Sequence, residues 1–369
     1  MPERLCLPAR FMRSGTMPRA AGLARFLTSF VAPCLAGAAG GYLFHRLGLP
    51  AAWMSGALLV ATGLALAGFR VDVPGPIATA TFLLLGAVMG SAVTPSTLRL
   101  MLSWPVSMAG LAVLVPGIVA GIVLYLRRVE RLDRHTAFFA SIPGALSYVM
   151  AMTLASPADA RSVAVIQSFR LVLLVAALPG LLSLAGMGGT AAAPTAPVAP
   201  ADWTELPLLL VLSVSCGLGM ERLRVPGGAT VGAMFASAVL HGSGLVTTSV
   251  PEPFMVVGFV VIGVLIAARF AGTSLAELRR LARASVGAFL VGTAVTVVVA
   301  LAVAWIAGLP VGKVILAYAP GGIEAMAILA FVLDMDPAFV GAHHIVRFVG
   351  IALLLPLAAR IVLGPKKTG

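Results

Sequence analysis

Twelve long apolar stretches follow one another along this chain, and they constrain the fold more than any single motif does. They cover about 26 to 44, 51 to 69, 75 to 93, 104 to 126, 136 to 156 and 162 to 186. A second set covers about 205 to 220, 227 to 245, 252 to 270, 285 to 308, 312 to 333 and 338 to 363. With 60% hydrophobic and only 10% charged residues in 369, and a mean hydropathy of +1.06, no water-soluble domain could hide this much apolar surface. The solvent is lipid. At roughly 20 apolar residues per crossing, the length holds about ten to twelve helices and leaves no room for a separate soluble domain. The expected fold class is all-α, a polytopic transmembrane helix bundle.

The two sets are copies of one unit, aligned at an offset of 176 to 177 residues. Leu47-Gly48-Leu49-Pro50 matches Leu223-Arg224-Val225-Pro226, Gly56-Ala57 matches Gly232-Ala233, and Gly86 matches Gly263. Thr97-Leu98 matches Ser274-Leu275. Pro143-Gly144-Ala145 matches Pro320-Gly321-Gly322, after which Asp159 meets Asp336 and Arg170 meets Arg347 without a gap. The expected organisation is a basic N-terminus over 1–25, a first membrane repeat over 26–186, a Gly, Ala, Thr and Pro linker over 187–204, a second repeat over 205–363 and a basic C-terminus over 364–369.

Charge predicts how the copies sit. The first is richest between its fourth and fifth stretches, at Arg127, Arg128, Arg131 and Arg134; the second is richest between its third and fourth, at Arg279, Arg280 and Arg283. The equivalent loops hold only Arg99 and Lys313. Lys and Arg are retained on the cytoplasmic side during insertion, so the copies are expected to be inverted, with both termini cytoplasmic. Inversion requires an odd number of crossings per copy. The fifth stretch is the one expected to be re-entrant or broken, because Pro143-Gly144 and Pro320-Gly321 interrupt it and such breaks survive at membrane depth only inside protein or against a wet cavity. That leaves about ten spanning helices and two re-entrant or broken segments. The formal net charge of +12 is scattered through loops, which argues against direct nucleic-acid binding. The cysteines, Cys6, Cys34 and Cys216, show no metal-type spacing.

The informative intramembrane polar groups lie beside these breaks. Glu324 follows Pro320-Gly321-Gly322, and His343 and His344 precede Arg347; the first-copy counterparts are Pro143, Gly144, Ser147, Gln167 and Arg170. A charge at the bilayer centre costs several kcal/mol, so such residues face a partner or a wet cavity. His344 with Arg347, and Gln167 with Arg170, are three apart and share a helix face. Inversion would bring the two patches together, and two arginines against one Glu324 would suit an anionic solute. Two other roles stay open: Arg347 pairing with Glu324 to lock helices, and Arg170 bonding carbonyls freed by Pro143. Asp159 and Asp336 are expected to cap the last helix of each copy. The pairs Gly40-Gly41, Gly86 with Gly90 and Gly217 with Gly219 are read as small-residue contacts between helices. No catalytic residue, metal site or cofactor motif is found: adjacent histidines on a helix point about 100° apart, and no Walker, nucleophile-elbow or Cys-His pattern occurs.

The duplicated unit, with Pro320-Gly321-Gly322-Ile323-Glu324-Ala325-Met326 followed by His343-His344-Ile345-Val346-Arg347, resembles the AbrB membrane protein family of bacteria, which is distinct from the small soluble DNA-binding regulator of the same name. The resemblance covers nearly the whole chain from about Pro33 and implies an inner-membrane location. Family members carry the labels ammonia monooxygenase and regulator. The first copy departs from the second, with Ser147 where Glu324 stands and Gln167 where His344 stands. The expected function is a secondary-transporter-like permease for an unknown small solute, with the lipid bilayer as its surroundings and a homodimer open to it. The alternatives are a membrane-embedded regulator acting on gene expression through a partner, and an oxygenase.

Overall fold

Every apolar stretch forms helix, and no strand forms among the described residues, which in this computed structural model are 19–91, 104–187, 202–225 and 227–363. Most of the linker, both termini, Thr97-Leu98, Arg99 and Pro226 therefore lie outside the described residues. The first copy comprises α1 (Arg19–Phe26), a π-helical turn (Leu27–Val31), α2 (Ala32–Arg46), α3 (Ala52–Leu66), α4 (Gly75–Gly90), α5 (Trp104–Arg128), α6 (Arg134–Ser141), α7 (Leu146–Leu154) and α8 (Ala160–Leu184). The second comprises α9 (Leu206–Arg222), α10 (Gly228–Gly242), α11 (Glu252–Ala267) with a 3-10 turn (Ala268–Phe270), α12 (Leu275–Ala307), α13 (Val311–Tyr318), α14 (Ile323–Val332) and α15 (Pro337–Leu363). The first helix starts before the apolar run at 26. Inside it Pro33 cannot donate to the preceding turn, and the Ser29 carbonyl accepts instead from the Asp72 N–H at 2.9 Å.

Among the described residues, six helices are long and apolar enough to cross a bilayer unaided: Leu23–Arg46, α5, α8, Glu252–Phe270, α12 and α15. The other four expected crossings, α3, α4, α9 and α10, have 15 to 17 residues. At 1.5 Å per residue they reach about 23–26 Å, just short of the hydrocarbon thickness.

The copies are inverted. Along α5 and α12, Tyr125 lies on Gly287, Gly121 meets Val291 and Val295, and Gly110 meets Val303, so one number rises as the other falls. Equivalent helices lying antiparallel side by side are related by a two-fold axis perpendicular to both, which places that axis in the membrane plane. The copies also interlock. In α4, Gly86 packs on Thr230 and Gly90 on Ser237 of α10; in α11, a Cβ at Gly263 would stand 2.7 Å from the Met54 carbonyl of α3. Each copy's third helix thus packs on the other's second, and one apolar core runs through both. Gly40 faces Gly56, and Gly217 faces Gly232, at the matching contact inside each copy; Gly219 faces open space, contrary to its expected packing role.

The fifth stretch is re-entrant in both copies. Residues 23 apart meet at its mouth, where the Asp159 N–H donates to Thr136 Oγ1 at 2.8 Å. Residues 28 apart meet deeper, where Gln167 Nε2 donates to the Phe139 carbonyl and Arg170 Nη2 to the Ile142 carbonyl, both at 2.8 Å. Helix α6 therefore runs beside α8 in the same direction, and α7 must return to reach Ala160. The second copy repeats the spacing, with Lys313 on Asp336, His344 against the Leu316 carbonyl and Arg347 on the Ala319 carbonyl. Eight helical residues descend about 12 Å, close to half the membrane.

The two arginine-rich segments share a face, as the charge pattern predicts. Arg283 Nε donates to Glu130 Oε1 at 2.8 Å, and Arg161 pairs with Glu277. On the opposite face Glu205 accepts from the Thr247 and Thr248 N–H groups, which hold its carboxyl below the usual range.

Candidate functional site

Two hairpins entering from opposite faces meet tip to tip. A Cβ built on Gly144 would stand 3.4 Å from the Gly321 carbonyl and 3.6 Å from Arg347 Nη2. The tips enclose a cavity of about 390 Å³, a size ordinary for small-molecule sites. Ten of the residues singled out from sequence line it: Pro143, Gly144, Gln167, Arg170, Pro320, Gly321, Gly322, Glu324, His344 and Arg347.

The breaks free carbonyls at the ends of α6 and α13, and the last helix of each copy satisfies them. Gln167 and Arg170 do so for Phe139 and Ile142. Arg347 gives Nη1 to the Ala319 carbonyl and Nη2 to the Gly321 carbonyl, both at 2.7 Å, and Nη2 also lies 2.9 Å from His344 Nδ1. His344 Nε2 faces the Leu316 carbonyl at 3.4 Å, so the ring donates from Nε2 and accepts at Nδ1. Arg347 thus binds the break rather than Glu324, and the expected role of Arg170 on carbonyls freed by Pro143 is realised at Ile142. Arg170 nevertheless keeps Nε and Nη1 buried with no protein partner. Asp159 and Asp336 cap α8 and α15, accepting from Ser162 and Phe339 N–H groups at 3.3 and 3.0 Å.

The family model described as transition state regulatory protein AbrB matches residues 53–363. This chain belongs to the AbrB family. Among its relatives, the Escherichia coli (strain K12) protein named "Putative regulator AbrB" is 28% identical over 324 residues, 86% of this chain and 92% of that protein. The Bacillus subtilis (strain 168) protein named "Uncharacterized protein YhjN" is 25% identical over 352 residues, 88% of this chain and 91% of that protein.

In this AbrB-family protein the electrostatics of the cavity are positive. Arg170 and Arg347 are both almost fully buried and repel one another. Helices α7 and α14 begin at the tips, so the positive ends of their dipoles also face the cavity. Glu324 is the one acidic lining residue, and its charge is offset by Arg269.

His343 does not join the site. Its Nδ1 lies 2.7 Å from the Phe339 carbonyl and its Nε2 2.8 Å from Ser107 Oγ on α5, because the face fixed by His344 and Arg347 turns its neighbour about 100° away. The side chain of Ser147 lies outside the described residues. Arg269 and Phe348, both absent from the sequence-based set, line the cavity. The only sign of Arg269 in the sequence is a charge interrupting the run Val264-Leu265-Ile266-Ala267-Ala268.

Proposed function

We propose that this membrane protein is a secondary-transporter-like permease of the bacterial inner membrane that moves a small anionic solute by alternating access. The Arg127–Arg134 and Arg279–Arg283 face, and both termini, lie in the cytoplasm on this reading. The observation that carries it is the cavity between the hairpin tips, where two buried arginines carry no carboxylate partner. Buried charges without a counterion are costly, and a solute anion would relieve that cost when it enters. Inverted repeats with broken segments at the midplane are also the geometry by which transporters expose one site to either side.

No catalytic role or cofactor is assigned. The permease reading requires no metal-binding cluster. Nor does it require nucleic acid. The name of the Escherichia coli relative motivates a second reading, a membrane-embedded regulator acting through a protein partner.

The full-length protein in proteoliposomes, assayed for uptake of labelled small anions, separates the two. A permease gives saturable uptake above that of empty vesicles. A regulator gives uptake equal to empty vesicles together with a stable partner in pull-downs.

A further inference from the structure

Resting on the permease reading, we infer that Arg170 is the oxyanion receptor of the cavity and that the solute is a small monocarboxylate with a compact apolar body. Of two equivalent arginines, Arg347 has committed both terminal nitrogens: Nη1 to Ala319, and Nη2 to Gly321 and His344. Arg170 has spent Nη2 on Ile142 at 2.8 Å and holds Nε and Nη1 buried and unpartnered. A buried donor without an acceptor carries its full desolvation cost, so these two nitrogens call for oxygen atoms from a ligand. Nη2 keeps a second hydrogen beyond the one given to Ile142, so one edge of the planar guanidinium, Nη2 with Nε or with Nη1, still presents two parallel N–H donors to a carboxylate, whose two oxygens lie in one plane.

One open guanidinium edge receives one carboxylate. The other cation of the wall, Arg269, is already offset by Glu324 and offers no place for a second negative group. The remaining wall is apolar, formed by Leu146, Leu171, Ile323 and Phe348. A compact oxyanion such as sulfate would lie against these side chains with oxygens unsatisfied, whereas a hydrocarbon body would be desolvated favourably there.

Thermal unfolding of the full-length protein in detergent, titrated with benzoate, acetate, succinate and sulfate, tests the assignment. Benzoate is expected to stabilise at the lowest concentration. R170Q and R170K are each expected to raise its half-saturating concentration at least about tenfold, because the lysine keeps the charge but loses the fork. F348A is expected to weaken benzoate more than acetate; it keeps the inference testable if R170Q does not fold. Equal benzoate stabilisation of wild type and R170K, or succinate or sulfate stabilising as strongly as benzoate, would overturn it. Benzoate binding through Arg170 without flux in vesicles supports this assignment while removing the permease reading. Saturable uptake of another anion with no stabilisation by benzoate overturns the assignment alone.

Discussion

The tips of the two hairpins are built from equivalent residues and end in different states. In the second copy, Arg347 reaches past the Ala319 carbonyl to Gly321, and Gly322 enters α14 in extended conformation at φ −79° and ψ 152°. In the first, Arg170 stops at Ile142, while Gly144 and Ala145 both take left-handed conformations, at φ +91° and +53°. One copy has used its arginine to brace the break; the other has kept two nitrogens free. A duplicated unit can divide structural and binding work in this way, because each arginine is held at the same depth by the same 28-residue spacing.

The largest consequence concerns those arginines. Arg347→Gln removes the bonds to both tip carbonyls and is expected to lower stability by about 2–4 kcal/mol. Arg170→Gln removes one bond and also relieves two orphaned donors, so its cost is expected to be about 1 kcal/mol or less. Thermal unfolding of the two variants in one detergent measures the gap, and equal losses would break the comparison.

A smaller effect is expected at the next pair. Ala145 stands where Gly322 stands, yet Ala145 has the positive φ. Ala145→Gly is therefore expected to stabilise by about 1 kcal/mol, since a Cβ in the left-handed region costs that much. Gly322→Ala would place its Cβ 3.6 Å from Glu324 Oε2, an ordinary contact, and is expected to change stability by under about 0.5 kcal/mol. Destabilisation by Ala145→Gly would contradict the two-conformation account of the tips.

The smallest difference between the copies lies at the caps. Asp159→Ala is expected to cost about 0.5–1 kcal/mol, and Asp336→Ala somewhat more, because Asp336 also pairs with Lys313 at 2.9 Å. The Ser162 hydroxyl, ahead of the Ser162 and Arg161 N–H groups, holds the Asp159 carboxyl below its ordinary range. Its contribution is therefore full above that range and is lost as pH falls through the lowered value. Unfolding measured against pH should show the Asp159→Ala penalty vanish in acid.

Much of this architecture was legible in the sequence because it rests on position and charge. The ungapped run from Pro143 to Arg170, matched at Pro320 to Arg347, carries the hairpin and its brace with fixed spacing. The arginine clusters give the inversion because their distribution reports on sidedness and needs no packing detail. The rest depended on contacts between copies. Arg269 reaches the cavity because α11 packs on α3 of the other copy, which its own neighbours do not encode. Either of the adjacent His343 and His344 could face a site, and only the register of α15 against α13 selects His344. That Arg347 would choose carbonyls over Glu324 follows from how the tip folds, and both partners stand at plausible spacing in the sequence.

The most direct test of the central claim uses Leu146, which lines the cavity at the first hairpin tip. With Cys6, Cys34 and Cys216 replaced, a cysteine at position 146 would be treated with a membrane-impermeant thiol reagent from each face in turn, with and without benzoate. Alternating access predicts labelling from both faces, slowed by benzoate on both. Labelling confined to one face, unchanged by the anion, would contradict it.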